Sequence, residues 1–192
     1  MAIDYLPVSW EEYHTLARKL AGKVLTDGKK VDEIVAISRG GLTLGHLLTD
    51  FLRVPISTFT IQSYTNLQTQ GAVKITKPLT EPLDGKNILL VDDVSDTGTT
   101  LKRAIEYLNM FTPKTITTLS MYYKPHSVYK PDYFAATTSA WILFPYEPTE
   151  TAITIMKSMK KEKKSAKEIN NFLKNLHYTD DQIAFVKKFY VK

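Results

Sequence analysis

Ile88-Leu89-Leu90-Val91-Asp92-Asp93-Val94-Ser95-Asp96-Thr97-Gly98-Thr99-Thr100 is the stretch around which the rest of the chain is organised. Its four leading apolar residues form an unbroken run, the pattern of a strand buried on both faces in a parallel sheet. Two carboxylates, Asp92 and Asp93, follow at once. A loop rich in hydroxyls with one glycine comes next, and Leu101 to Met110 reads as a helix. Amides at a helix start, with Gly98 allowing close backbone approach, make an anion site. Acids at the carboxyl end of a parallel strand stand where open α/β sheets take their ligands. Thr97 or Thr99 is a candidate helix cap.

Three other phosphate chemistries fit less well. A P-loop needs Gly-x-x-x-x-Gly-Lys-Ser/Thr, which does not occur. A dinucleotide fingerprint needs three spaced glycines, and only Gly98 is present here. An aspartyl-phosphate hydrolase separates its two acids by one residue, whereas Asp92 and Asp93 are adjacent. A plain strand entering an acidic turn explains a cap, but not two adjacent carboxylates with a third at Asp96.

Composition sets the outer bounds. A chain of 192 residues with 43% hydrophobic content is one domain, or one domain with an appendage. The absence of cysteine removes disulfides and thiolate metal sites. The start, Met1 to Pro7, has neither a basic beginning nor a long apolar run, so no secretory signal is expected. No stretch reaches the ~18–20 apolar residues of a membrane span. The expected location is the cytoplasm. Charge is uneven: residues 151–192 hold ten lysines against four acids, and residues 1–150 hold fifteen bases against sixteen acids. A basic tail suits nucleic acid, but a lysine-rich helical surface is more commonly a solvated face.

The remaining elements follow from periodicity. Ser9 to Gly28 reads as an amphipathic helix opened by a Ser9/Glu12 capping box. Glu33 to Ile37 is a short strand, Ser38-Arg39-Gly40-Gly41 a second anion-binding loop, and Leu42 to Leu52 its helix. Ile56 to Ile61 is a strand. Ser63-Tyr64 leads into a polar, aperiodic stretch from Thr65 to Gly71, expected to be a flexible loop. Val73 to Ile75 returns. Thr115 to Met121 and Phe134 to Thr138 are further strands. Residues 148–192 read as three short helices, with apolar stripes Ile169/Phe172/Leu173/Leu176 and Ile183/Phe185/Val186/Phe189.

The 88–100 pattern resembles the phosphoribosyl pyrophosphate (PRPP) signature of type I phosphoribosyltransferases. Ser38 to Gly41 looks like the pyrophosphate loop of the purine enzymes, where the bond entering the basic residue is often cis; the resemblance places one at Ser38–Arg39. Ser63-Tyr64 matches the pair that starts their mobile lid. Lys124, Trp141 and the run to Glu147 look like the base-recognition segment of xanthine-guanine phosphoribosyltransferases, although Trp141 also reads as plain core. The implied fold is α/β: a central, mostly parallel sheet flanked by helices over residues 1–147, plus a C-terminal helical bundle over 148–192. A similar extension occurs in archaeal adenine phosphoribosyltransferases.

The resemblance implies transfer of the phosphoribosyl group from PRPP to a purine. Asp92 and Asp93 would accept hydrogen bonds from the ribose hydroxyls and favour a cationic anomeric carbon. Asp96, Thr97, Gly98, Thr99 and Thr100 would hold the 5′-phosphate, with Asp96 as general base for ring nitrogen 7. Ser38, Arg39, Gly40 and Gly41 would take the pyrophosphate, with Arg39 neutralising the leaving group. Magnesium is the implied cofactor, with Asp93 as its ligand. Lys124, Trp141 and Ile142 would bind the base. Lys124 only donates, which suits a 6-oxopurine, whereas the extension favours adenine. The reading of another class is a regulator of this fold that binds nucleic acid; an orotate or pyrimidine enzyme is a third. A homodimer or tetramer is expected, with no membrane or nucleic-acid partner.

Overall fold

The computed structural model describes residues 3–66 and 69–191. Contacts divide the chain into two compact units, one of His14–Ser139 and one of Met1–Tyr13 with Ala140–Lys192. The larger unit is built on a six-stranded sheet. Its strands are β2 (Glu33–Ser38), β3 (Ile56–Asn66), β4 (Thr69–Lys77), β5 (Asn87–Ser95), β6 (Thr115–Tyr123) and β7 (Tyr133–Thr137), in the order β4-β3-β2-β5-β6-β7. All neighbours are parallel except the β3–β4 pair at one edge. The expected mostly parallel sheet is present, and β5 lies in its interior as the apolar run Ile88 to Val91 requires: all four residues are buried.

The two helices that follow β2 and β5 cover opposite faces. α2 (Gly40–Leu52) sets Gly45 against Ala36, Ile34 and Ile56, so closely that a Cβ on Gly45 would stand 2.9 Å from the Ala36 and Ile56 side chains. α3 (Thr99–Leu108) packs Leu101, Ala104 and Leu108 against Val35, Ile37, Ile88 and Leu90. Alternate residues of each strand serve the two faces, which is why Ile34 to Ile37 and Ile88 to Val91 are apolar at every position. β2 connects through α2 to β3 on one side, and β5 connects through α3 to β6 on the other. The sheet therefore changes winding direction between β2 and β5, which opens a crevice at their carboxyl ends.

Several boundaries differ from the sequence expectation, each for a local reason. α3 begins at Thr99, and neither Thr97 nor Thr99 is its cap; Gly98 holds that position at φ +80° without a side-chain cap. β3 runs on to Asn66 and β4 starts at Thr69, so Ser63 and Tyr64 lie in a strand paired with Val73 and Ala72 rather than at the mouth of a loop. Leu67 and Gln68 fall outside the described residues. Thr65 to Gly71 is polar and without apolar alternation, so nothing in the sequence marks it as strand. Ser38 pairs with Thr60, and β3 continues six residues further, so the ribbon projects past the sheet's carboxyl edge.

The second unit has its own core. β1 (Tyr5–Pro7) and β8 (Trp141–Leu143) form a parallel pair. The helices α4 (Pro148–Lys161), α5 (Ala166–Asn175) and α6 (Asp180–Phe189) gather Ala152, Ile155, Met156, Leu173 and Val186 around Leu143. The contact-based border at 139/140 differs from a division at 147/148 because β8 pairs with β1 and not with the large sheet. Reciprocal capping boxes open α5 (Ser165/Glu168) and α6 (Thr179/Gln182). The stripe on α6 is narrower than its sequence suggests. Ile183 and Val186 are buried, but Phe185 and Phe189 are 46% and 58% exposed, their rings 5.0 Å apart. α1 (Trp10–Thr26) starts with the Glu12 amide donating to Ser9 Oγ at 3.1 Å, and buries Tyr13, Ala17, Leu20 and Val24. Among the described residues, no helix is long and apolar enough to cross a membrane.

This packing makes a direct forecast for α6. Ile183→Ala should cost about 2–5 kcal/mol, whereas Phe189→Ala should cost less than about 1 kcal/mol. Urea unfolding of the full chain, followed by circular dichroism, would reveal the contrast; equal losses would put Phe189 in the core.

Candidate functional site

The crevice between β2 and β5 is lined by the loops that leave them. β2 ends at Ser38, the Ser38–Arg39 peptide bond is cis, and α2 begins at Gly40. The first two residues of α2 lie directly over the end of β5. A Cβ at Gly40 would collide with the Asp93 carboxylate, and one at Gly41 with the Val91 carbonyl oxygen. Glycine is required here by close approach rather than by a left-handed backbone. No side chain caps α2, so its first turn directs amides into the crevice beside the exposed Arg39.

β5 brings its two acids to the same place in different electrostatic states. Asp92 is buried, and Asp93 is partly exposed. The Asp93 amide donates to Asp92 Oδ1 at 3.0 Å, and the Val94 amide donates to Asp93 Oδ1 at 2.7 Å. Burial pushes the Asp92 carboxyl well above the ordinary value of 3.8, and the neighbouring Asp93 charge pushes it further, against the Asp93 amide. Both acids therefore present hard oxygens at one strand end. No cluster of three or more His, Asp or Glu suited to a metal forms among the described residues. This donor set fits magnesium, which takes one or two carboxylates and leaves its other positions to substrate and water.

Beyond Ser95 the chain makes a loop and enters α3. Thr97 and Thr99 hydroxyls lie 2.8 Å apart. The segment after β6 straps this loop in place. The Lys124 amide donates to the Ser95 carbonyl at 3.1 Å and the Val128 amide to the Thr97 carbonyl at 2.9 Å. Ser95 Oγ donates to the Tyr129 carbonyl at 2.7 Å. Gly98 fits under the strap because a Cβ would strike Ser127 and Tyr129. An uncapped helix start behind a glycine, flanked by two threonine hydroxyls, has the form of a phosphate cradle.

Lys124 is buried, and its Nζ lies 3.2 Å from Asp96 Oδ1. A buried ammonium needs a charged partner, and this pairing binds the strap to the loop a second time. His126 Nε2 stands 3.0 Å from the same oxygen. His126 did not emerge from the sequence. The signal was there: β6 ends beside β5, with Tyr123 opposite Ser95, so the residues after Tyr123 must reach the edge that carries Asp96.

Residues 9–152 match the family model for the phosphoribosyl transferase domain. The chain belongs to the phosphoribosyltransferase family. A xanthine-guanine phosphoribosyltransferase of Idiomarina loihiensis is 33% identical over 143 residues, covering 73% of this chain and 85% of that protein. One from Gluconobacter oxydans is 31% identical over 149 residues, covering 76% and 86%. Among solved structures, a purine phosphoribosyltransferase from Pyrococcus horikoshii has a TM-score of 0.69 at 32% identity and covers 76% of this chain and 95% of its own.

Within this phosphoribosyltransferase, the residues expected to act together fall into three groups. Ser38 to Gly41, Asp92 to Thr100 and Lys124 gather at the carboxyl edge of the large sheet. Ser63 and Tyr64 sit in the ribbon that projects from the same edge. Trp141 and Ile142 belong to the other compact unit, on β8, where they pair with Tyr5 and Leu6. Trp141 is 56% exposed, so it is not a core residue, whereas the Ile142 side chain is buried.

The raised Asp92 carboxyl has a stability consequence. The folded chain holds this proton more tightly than the unfolded chain, so stability falls as pH rises from the ordinary value of 3.8 through the folded one. In the ligand-free protein at pH 7, Asp92→Asn should therefore raise the melting temperature, and the gain should shrink as the pH approaches 4. A variant no more stable than wild type at pH 7 would contradict the burial argument.

Proposed function

We propose that the protein is a magnesium-dependent purine phosphoribosyltransferase of purine salvage. It would transfer the 5-phosphoribosyl group from PRPP to a 6-oxopurine, giving the nucleoside 5′-monophosphate and pyrophosphate. The observation that carries this reading is the meeting of two glycine-dependent anion loops over a carboxylate pair at the switch point of the sheet. The xanthine-guanine phosphoribosyltransferase relatives support the choice of base, as does the buried donor Lys124 at the same edge.

In this mechanism the purine N9 lone pair forms the bond to the anomeric carbon. The bond from that carbon to the pyrophosphate oxygen breaks, its electron pair leaving with pyrophosphate. The proton on N7 passes to Asp96. Asp92 and Asp93 accept hydrogen bonds from the two ribose hydroxyls, and their charge favours the cationic character that grows at the anomeric carbon. The amides and hydroxyls of Thr97 to Thr100 hold the 5′-phosphate. Arg39 and the amides of Gly40 and Gly41 receive the pyrophosphate, with Ser38 completing that loop. Asp93, beside Asp92, would hold magnesium, and neutralisation of the leaving group is the chemistry such an ion supplies. The ribbon bearing Ser63 and Tyr64 excludes water from the activated sugar. Lys124 donates to the 6-oxo oxygen. The roles of Trp141, stacking on the purine, and of Ile142 rest on the resemblance alone. A homodimer or tetramer in the cytoplasm belongs to the same reading.

Product formation with PRPP and magnesium, run against hypoxanthine, guanine, xanthine and adenine, tests it. Turnover of an oxopurine is expected. A hydrogen bond from a charged donor contributes about 1.5–3 kcal/mol, so Lys124→Ala should lower kcat/KM for that base roughly 10- to 150-fold. Adenine as the only substrate would reverse the role of Lys124. No turnover by folded protein that still binds PRPP would leave the nucleic-acid-binding regulator.

A further inference from the structure

Asp96 differs from the other acids of the site in how it is held. Its side chain is 48% exposed on a loop, so packing does not fix the carboxylate. Two cationic or donor groups do, and both meet the same oxygen, Oδ1: Lys124 Nζ at 3.2 Å and His126 Nε2 at 3.0 Å. An ionised carboxylate only accepts hydrogen bonds, so the facing imidazole nitrogen must carry the hydrogen; that assignment follows from the network. His126 is exposed, but its backbone is not loose. It lies in the strap whose amides from Lys124 and Val128 bond the Ser95 and Thr97 carbonyls on either side of Asp96. The Ser127 amide closes the turn onto the Lys124 carbonyl at 2.9 Å.

Resting on the purine phosphoribosyltransferase reading above, we propose that His126 is the positioning residue for Asp96. The two partners of Oδ1 have different duties. Lys124 gives a donor to the oxo oxygen of the base, and its flexible ammonium is then shared between substrate and carboxylate. The imidazole of His126 has no substrate duty and only two rotatable bonds, so it fixes Oδ1 while the carboxylate receives the N7 proton. His126 keeps its own proton throughout: the N7–H bond breaks, an O–H bond forms on Asp96, and the Nε2–H bond to Oδ1 persists. A misplaced base slows proton transfer without weakening the grip on PRPP, whose phosphates meet other groups.

The effect is readable because His126 is exposed and its replacement leaves no cavity. In single-turnover experiments with PRPP and an oxopurine, His126→Ala should slow the chemical step between about 10- and 100-fold. The dissociation constant for PRPP, measured by calorimetry, should stay within about twofold, since His126 lies in no phosphate loop. His126→Gln, which places an amide N–H at similar reach, should recover most of the rate. In an Asp96→Asn background, His126→Ala should cost nothing more, because a residue acting through Asp96 has nothing left to position. An unchanged rate in His126→Ala, or an undiminished loss in the Asp96→Asn background, would overturn the proposal while wild-type turnover leaves the enzyme reading intact. Wild-type protein inactive with all four bases would remove both.

Discussion

Everything at the carboxyl edge of the large sheet depends on how closely the start of α2 lies over the end of β5. The separation has room for hydrogen and not for carbon: a methyl group at Gly40 would occupy the place of the Asp93 carboxylate, and one at Gly41 that of the Val91 carbonyl. This contact draws together two loops that are separate in sequence. It sets the amides of α2 beside the acids of β5, so that one crevice holds positive and negative potential a few ångströms apart. A substrate with a diphosphate at one end of a sugar and hydroxyls next to it needs that alternation.

The arrangement stores electrostatic cost. Asp92 is taken out of water with an acidic neighbour beside it, and among the described residues the amide of Asp93 offsets part of the penalty. The fold tolerates this because β5 is anchored elsewhere, by Ile88 to Val91 within a continuous apolar core. Stability is thus concentrated in the lower half of the strand and given up at its tip, a distribution common where rigid scaffolds present reactive groups.

Legibility in the sequence followed burial. Strands buried on both faces announced themselves: Ile88 to Val91 and Glu33 to Ile37 were found to within a few residues, and the loops after them had chemistry as well as position. Capping chemistry is equally visible at Ser9, whose hydroxyl accepts from the Glu12 amide three residues on. Elements without an apolar pattern are not visible. The β3–β4 ribbon past Gln62 is polar and shows no alternation, so nothing local marks its pairing. β1 and β8 are three residues each, too short for any period. The sequence overstates the α6 stripe because Phe185 and Phe189 are apolar, although their rings face water and each other. His126 was hidden for a different reason: its meaning lies in which strand ends beside which, a fact of sheet order rather than of local pattern.

The bare start of α3 has a consequence of its own. Most helices satisfy their first amides with a serine, threonine or aspartate, worth about 1 kcal/mol, and keep that gain whatever the surroundings. α3 begins behind Gly98 without one. The Thr99 amide reaches Thr97 Oγ1 only at 3.4 Å, a long contact from outside the cap position, so most of that gain stays open to any anion that comes to rest there. Such an anion would add to folding stability as it bound. Filling the site and steadying the fold would then be one event, and emptying it would loosen both together.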